Sequence, residues 1–258
     1  LSKVEATDFL SAMTLLTMYK AYKNGGPAVS CKRKDILNLK LKDYKANRTQ
    51  LIEGFIETEK LLAEERIFTN NDLPYSTQLI PLSAICSVLI ENKQMNVTVT
   101  KDKLKQWYWC GVLGELYGGA NETRYVNDMT GVMDWLAGGT QSKTVQEAYF
   151  QPSRLLTLQT RLSAAYKGIM ALIMKNHSKD FISGRDMDFV SFKADNIDIH
   201  HVFPQKYCQE MKYDKKLWNS IVNKTPISYD TNRKIGGTAP SKYIKNKIEK
   251  DNTVAPEQ

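Results

Sequence analysis

Apolar residues recur with helical spacing through most of the first 190 residues. Phe9, Ala12, Met13, Leu16 and Tyr19 follow the i, i+3, i+4, i+7 rule for one face of a helix. Similar patterns, separated by glycine pairs and Asn- or Pro-containing turns, predict further helices. The further predicted helices cover residues 51–62, 85–89, 104–117, 126–136 and 155–175. Residues 98–101 are predicted to form a short β-prone link.

The pattern changes after Lys175, where a polar segment runs to residue 196. Ile197, Asp198 and Ile199 then alternate apolar and polar, as expected for a strand. Residues 240–250 again have a helical pattern. We therefore predict a mainly α fold, in which a helical, bundle-like domain (residues 1–190) precedes a small second domain (residues 191–258).

Composition is that of an ordinary soluble globular protein, with 42% apolar and 25% charged residues. No apolar run approaches the ~20 residues of a membrane span, so we expect no membrane association. The four cysteines form no C-x-x-C pair, which excludes a zinc ribbon and a thioredoxin-like motif. Their wide spacing favours reduced thiols and a cytoplasmic location. The chain begins at Leu1 without a signal pattern, and we interpret it as part of a longer protein.

Positive charge concentrates at the end of the chain. The net charge is +8, and residues 200–258 contribute +5 of it, with eleven Lys or Arg against six Asp or Glu. Two of the three histidines, His200 and His201, begin this segment. The combination indicates contact with a polyanion such as nucleic acid, with a solvated lysine-rich face as the alternative.

The histidine pair lies in a set of residues suited to phosphodiester hydrolysis. A neutral imidazole, with an unperturbed pKa of about 6.5, can take a proton from water at neutral pH. A second imidazole and an Asn carbonyl can hold a divalent metal, which acts as a Lewis acid on a phosphoryl oxygen. Arg and Lys side chains nearby can bind phosphate.

The spacing of these residues resembles a known signature. The sequence D-x-H-H-x-x-P, followed by Asn223 and then N-R-K nine residues later, resembles the HNH (ββα-metal) nucleases. The stretch from Ile197 through Tyr243 is similar to the HNH domain that ends GmrSD-type, modification-dependent restriction systems. The preceding helical region resembles the same family at Leu73-Pro74-Tyr75, Trp107-Tyr108-Trp109, Tyr117-Gly118-Gly119 and Glu122-Thr123-Arg124.

The resemblance implies a role for each residue of the motif. His201, fixed by the proline three residues later, aligns with the general base, and Asn223 with the residue that orients it. His200 and Asn232 align with the metal ligands, although the family more often has His at the last position. The implied fold of residues 191–258 is a β-hairpin followed by a helix that binds Mg²⁺ or Mn²⁺.

Four further residues complete the implied site. Asp198 matches an acidic position on the first strand, where it could support a histidine. Arg233, Lys234 and Lys224 would hold the DNA backbone without reading bases. Because consecutive strand residues point to opposite faces, His200 and His201 can share one site only if the strand bends or ends there.

The resemblance implies a metal-dependent DNA endonuclease that restricts modified phage DNA. It also implies an N-terminal nucleotide-hydrolysing module, whose D-G-Q-Q-R type sequence is absent here, and a homodimer if both strands are cut. Two alternatives remain. The chain could be a helical interaction module with a catalytically silent, DNA-binding HNH domain, or it could be an RNA nuclease.

Overall fold

The computed structural model describes residues 4–188 and 197–248. In the described ranges the protein is mainly helical, with one two-stranded sheet. The prediction of a mainly α fold is therefore confirmed. The chain divides into two compact units, residues 1–64 with 69–150 and residues 65–68 with 151–258. No helix of the described ranges is both long and apolar enough to span a membrane.

Seven helices make up the described part of the first unit. They are α1 (Ala6–Lys23), α2 (Arg33–Leu37), α3 (Leu41–Glu64), α4 (Leu79–Glu91), α5 (Thr98–Leu113), α6 (Glu122–Leu136) and α7 (Lys143–Glu147). Helix α4 is the centre of the unit, because every residue from Leu79 to Leu89 is buried. It packs against α1, α3 and α6. A helix that is apolar on all sides has to lie inside the bundle.

The predicted β-prone link at residues 98–101 is wrong, because these residues form the first turn of α5. Thr100 is buried one turn before Leu104, and Trp107 and Tyr108 continue the same buried stripe. The β-branched residues Thr98, Val99 and Thr100 favour a strand only weakly, and burial of this stripe overrides that preference.

The second unit contains an antiparallel strand pair and short helices. A helix, α8 (Ala164–Lys175), precedes strand β1 (Ile197–His201), and β2 (Lys224–Ser228) pairs with β1. The connection between the strands carries α9 (Gln205–Glu210) and α10 (Lys215–Trp218). Strand β2 continues into α11 (Tyr229–Ile235), followed by α12 (Pro240–Tyr243) and a π-helical turn (Ile244–Ile248).

Apolar clusters cover both faces of the strand pair. Residues directly opposite each other in an antiparallel pair share a face, so Asp198 and His200 face the same side as Ile227. There the cluster contains Ile227, Ile235 and Tyr243 with Phe181 packed against it. Ile199 faces the other side, towards a cluster of Leu158, Ala165, Tyr166, Met170 and Ile221.

The division between the two units therefore differs from the predicted boundary at residue 190. Helix α8 packs against the strand pair, and the backbone N–H of Ile221 donates to the carbonyl of Leu158 at 2.8 Å. The predicted single helix over 155–175 is also interrupted. Pro152–Leu156 is a 3-10 helix and α8 begins only at Ala164. The tertiary bond at Leu158 falls in this interruption.

A buried carboxylate ties residues 180–183 to the junction of β2 and α11. Oδ1 of Asp180 accepts hydrogen bonds from the backbone N–H groups of Ile182 (3.0 Å) and Ser183 (2.8 Å) and from the hydroxyl of Thr231 (2.6 Å). Oδ2 accepts from the N–H of Ser228 at 2.8 Å. Burial alone would raise the pKa of Asp180, but the hydrogen bonds outweigh it and lower the pKa to about 2.

We expect Asp180 to make the protein sensitive to acid. The carboxylate stabilises the folded state above the ordinary Asp pKa, and this contribution is lost as the pH falls towards 2. The shift from 3.8 to about 2 corresponds to about 2 kcal/mol. Asp180→Asn should lower the free energy of unfolding near neutral pH and flatten its decline in acid, as measured by urea unfolding at a series of pH values. Asp230→Asn, at an exposed position of α11, is the control, and identical acid profiles for Asp180→Asn and the wild type would contradict the prediction.

Candidate active site

His200 and His201 lie next to each other at the end of β1 and point to opposite faces of the strand pair. His200 pairs across the sheet with Thr225, and His201 with Lys224. β1 ends at His201, which meets the condition for a shared site, but the pairing is regular up to that residue and the two side chains point to opposite faces. Each imidazole therefore has its own amide partner. His200 contacts Asn232, whereas His201 contacts Asn219.

His200, Asn232 and Asp198 form a hydrogen-bonded chain. Nδ1 of His200 lies 2.8 Å from Oδ1 of Asn232, and Nδ2 of Asn232 donates to Oδ2 of Asp198 at 2.6 Å. A carboxylate accepts only, so Asp198 turns the amide nitrogen towards itself and the amide oxygen towards His200. Asp198 thus supports Asn232, and not a histidine directly as its position in the sequence had suggested.

Two further contacts fix Asp198. Its Oδ1 accepts from the backbone N–H of Ile199 at 2.8 Å and from Nη2 of Arg161 at 3.2 Å. Arg161 is largely exposed and lies before α8, 37 residues away along the chain. Sequence reasoning missed this arginine, because nothing in the spacing of the motif extends back to that position.

The two atoms that face each other in this chain are of the type that hold a divalent cation. Imidazole nitrogen and amide oxygen are both donors that divalent cations accept, but in this structure the 2.8 Å between Nδ1 of His200 and Oδ1 of Asn232 is a hydrogen-bond distance. In the described ranges no group of three His, Cys, Asp or Glu residues could hold a metal. His200 and Asn232 would therefore be the two protein donors to an ion, and water or phosphate oxygens would have to supply its other ligands.

Burial sets the charge of His200, and its contact with Asn232 sets the tautomer. The ring is 3% exposed and lies edge-on to the rings of Phe181 and Tyr243, at centroid distances of 6.1 Å. Its Nε2 is buried without a hydrogen-bond partner in the described structure. Burial lowers the pKa of His200, against the opposing effect of Asn232, which favours the neutral imidazole. An amide oxygen only accepts, so the proton of the neutral ring is on Nδ1 in this structure, and a cation bound through Nδ1 would require it on Nε2.

His201 has the properties of a base. Its Nε2 lies 3.3 Å from Oδ1 of Asn219, and its ring lies 5.9 Å from the ring of Trp218. With Nε2–H donating to the amide oxygen, Nδ1 is the nitrogen that can accept a proton. Burial lowers the pKa of His201, Asn219 opposes this, and the charges of Lys224 and Arg161 lower it further. The imidazole is therefore neutral near pH 7.

Asn223 connects the two ends of the chain segment that joins the strands. Its Oδ1 accepts from the backbone N–H of Phe203 at 2.8 Å, and its Nδ2 donates to the carbonyls of Phe203 (3.0 Å) and Trp218 (2.8 Å). Its own carbonyl accepts from the N–H of Val202 at 2.9 Å. The side chain is therefore a backbone clamp that acts immediately after His201.

The basic residues of the motif are in two different environments. Arg233 and Lys234 are exposed on α11, where Nη1 of Arg233 donates to the hydroxyl of Tyr229 at 3.1 Å. Lys224, in contrast, is 8% exposed, and its ammonium donates to the carbonyl of Gln159 at 2.8 Å. We correct the prediction for Lys224, because this buried ammonium is not presented to a nucleic-acid backbone.

Comparison with known proteins gives a distant relative. The chain is 32% identical over 158 residues to an uncharacterised protein of Methanocaldococcus jannaschii, an alignment that covers 57% of this chain and 26% of the archaeal protein. The chain thus spans about a quarter of that relative's length. No family model matches the chain, and no solved structure matches it significantly.

We expect Asn223→Ala to destabilise the second unit and to displace the segment after His201. The substitution leaves the buried carbonyl of Trp218 without this donor and the N–H of Phe203 without this acceptor, at a cost of about 3 kcal/mol. Thermal and urea unfolding measure the loss, and Asn246→Ala at an exposed position is the matched control. Equal stability of the Asn223→Ala variant and the control would show that the clamp is not needed.

Proposed function

We propose that the second unit is a metal-dependent phosphodiester hydrolase that acts on DNA. The observation that carries the proposal is the His200–Asn232 pair, whose ligand-type atoms lie 2.8 Å apart and are oriented by Asp198. The next residue in the chain is a neutral histidine held by an amide. The order of strand, strand and helix is also that of the HNH fold to which the motif is similar.

Each side chain of the site has a distinct task in this reaction. Nδ1 of His201 takes the proton from the attacking water, while Asn219 holds the opposite ring nitrogen. His200 and Asn232 would hold a divalent ion, which would supply a Lewis acid for the phosphoryl group and the departing 3′ oxygen. Mg²⁺ and Mn²⁺ are the candidates implied by the resemblance.

The phosphate contacts are assigned to exposed cations. Arg233 and Lys234 on α11 bind the backbone of the substrate, as the motif implies. Arg161 replaces Lys224 in this set, because its guanidinium lies at Asp198 and its charge lowers the pKa of His201. All three side chains contact the sugar–phosphate backbone and do not read the base sequence.

The biological role follows from the resemblance to GmrSD-type systems and is part of the proposal. In that role the substrate is modified phage DNA, a nucleotide-hydrolysing module is the partner, and the protein acts in the cytoplasm. Cleavage of both strands requires two HNH sites and hence a homodimer.

The central test compares plasmid cleavage by the wild type and by His201→Ala in Mg²⁺, in Mn²⁺ and with chelator. Loss of the general base should reduce the rate by about 10²- to 10⁴-fold, with folding and metal binding unchanged. His177→Ala, at an exposed histidine of the same unit, is the matched control and should cleave normally. Cleavage by His201→Ala at the wild-type rate would refute the proposed mechanism, and a parallel RNA substrate separates DNA from RNA nuclease activity.

A second experiment tests the metal site without relying on turnover. Asp198→Ala frees the Asn232 amide to rotate and should weaken Mn²⁺ binding about 10- to 100-fold, as for other residues that orient a ligand. Asn232→Ala removes a ligand and should weaken it at least as much. Calorimetric titration with Mn²⁺ measures both, with the exposed Asp102→Ala as control. Unchanged Mn²⁺ affinity in both variants would place the ion elsewhere.

A catalytically silent, DNA-binding module is the second candidate function. The absence of a three-residue His, Cys, Asp or Glu group from the described ranges favours it weakly. DNA binding without metal-dependent cleavage in the full-length protein would support this reading.

A further inference from the structure

An open apolar groove lies in the segment between the two strands of the second unit. Its volume is about 510 Å³, within the range of small-ligand sites, ~300–1,000 Å³. Phe203, Tyr213, Leu217 and Val222 line it, and each is about half exposed. Apolar side chains concentrated in one groove are a stronger sign of binding than the same side chains scattered over a surface.

The groove adjoins the proposed catalytic histidine. Trp218 is shared between the two, because it lines the groove and its ring also lies 5.9 Å from that of His201. Phe203 follows His201 by two residues and lines the same groove. A ligand in the groove would thus be next to the general base of the proposed reaction.

Contacts within the protein hold the walls of the groove in place before any ligand binds. Asn223 binds the backbone of both Phe203 and Trp218. The ring of Tyr213 packs edge-on against Tyr207 at a centroid distance of 6.1 Å. Aromatic surfaces that are ordered before binding lose little conformational entropy when a flat ligand stacks on them.

The rim of the groove is cationic. Four exposed lysines lie on or beside the helices that line it, against two acidic residues, Glu210 and Asp214. The lysines are Lys206, Lys212, Lys215 and Lys216. The carboxylate of Asp214 already accepts the backbone N–H of Lys216 as a helix cap. Aromatic walls within a lysine rim are complementary to a flat apolar ring attached to a phosphate chain.

We propose that this groove binds an unpaired nucleobase of the substrate next to the scissile phosphate. The inference rests on the proposed nuclease function and narrows its substrate class to DNA that is single-stranded or locally opened. A base inside a duplex is already stacked on its neighbours and is not available to the groove. Stacking of this kind tolerates any base sequence, because every base has a π face.

The test is binding of a single-stranded oligodeoxynucleotide that contains 2-aminopurine, with its blunt duplex as comparison. Chelator is present throughout, so cleavage does not contribute. The full chain should quench the fluorescence of the single strand, as stacking does, and bind it more tightly than the duplex. Tyr213→Ala should weaken single-strand binding about 5- to 100-fold, because a stacked base contributes about 1–3 kcal/mol, while Tyr213→Trp should retain binding.

Tyr149→Ala is the matched control, since Tyr149 is exposed and lies in the first unit. Phe203→Ala tests a second wall of the groove independently, and circular dichroism verifies that the variant is folded. Wild-type affinity and quenching in both groove variants would overturn the inference. The inference would also be overturned if a second copy of the chain covers the groove. Light scattering would then show a dimer that Leu217→Glu dissociates.

The outcomes also separate this inference from the proposed function. Metal-dependent plasmid cleavage without Tyr213-dependent quenching would remove the base site and leave the nuclease. Tyr213-dependent binding without cleavage would leave the base site and favour the silent DNA-binding module.

Discussion

The arrangement of the second unit depends on the side-chain amide of Asn223. Twenty-two residues lie between the end of β1 and the start of β2, and most of them form short helices and turns. Asn223 joins Phe203 at the start of this segment to Trp218 near its end. Its backbone carbonyl also accepts from Val202, which extends the strand ladder by one bond. The ring partner of His201 and the walls of the apolar groove are therefore positioned by one buried residue.

In the proposed mechanism, the alternation of side chains along β1 separates two chemical tasks. His200 faces α11, where burial in an apolar cluster keeps the imidazole neutral and Asn232 orients it. His201 faces Trp218 and Asn219, on the side where the segment between the strands lies. A metal ligand and a base in direct contact would compete for one proton or one ion. Placement on opposite faces at the end of a strand keeps them adjacent along the backbone with different partners.

Much of this site is readable from the sequence because it depends on local geometry. Asn232 follows Asn223 by nine positions, enough for a five-residue strand and the first turn of a helix that returns the second amide to His200. The contributions of Asn219 and Arg161 are not readable, since both come from tertiary packing of segments without a motif.

Lys224 was misassigned for the same reason. Its charge predicts a surface contact, but its register opposite His201 places it beside Gln159 and the ring of Tyr166. Tertiary contacts likewise place α8 in the second unit. Its apolar pattern predicts a helix but does not show which element the helix packs against.

The environment of His200 also limits how the proposed site can hold a metal. Coordination through Nδ1 requires the proton of the neutral ring to reside on Nε2. Nε2 is buried between Phe181 and Tyr243, and the hydroxyl of Tyr243 is already committed to the carbonyl of Val202 at 2.7 Å. The N–H formed there would face aromatic rings and find no oxygen, a weaker interaction than the carboxylate or carbonyl partner of most metal-binding histidines. In the proposed site, two protein ligands, one of them supported only by aromatic contacts, would bind an ion less tightly alone than with substrate present. Phosphate oxygens of the nucleic acid would then supply the remaining ligands, which couples metal binding to substrate binding.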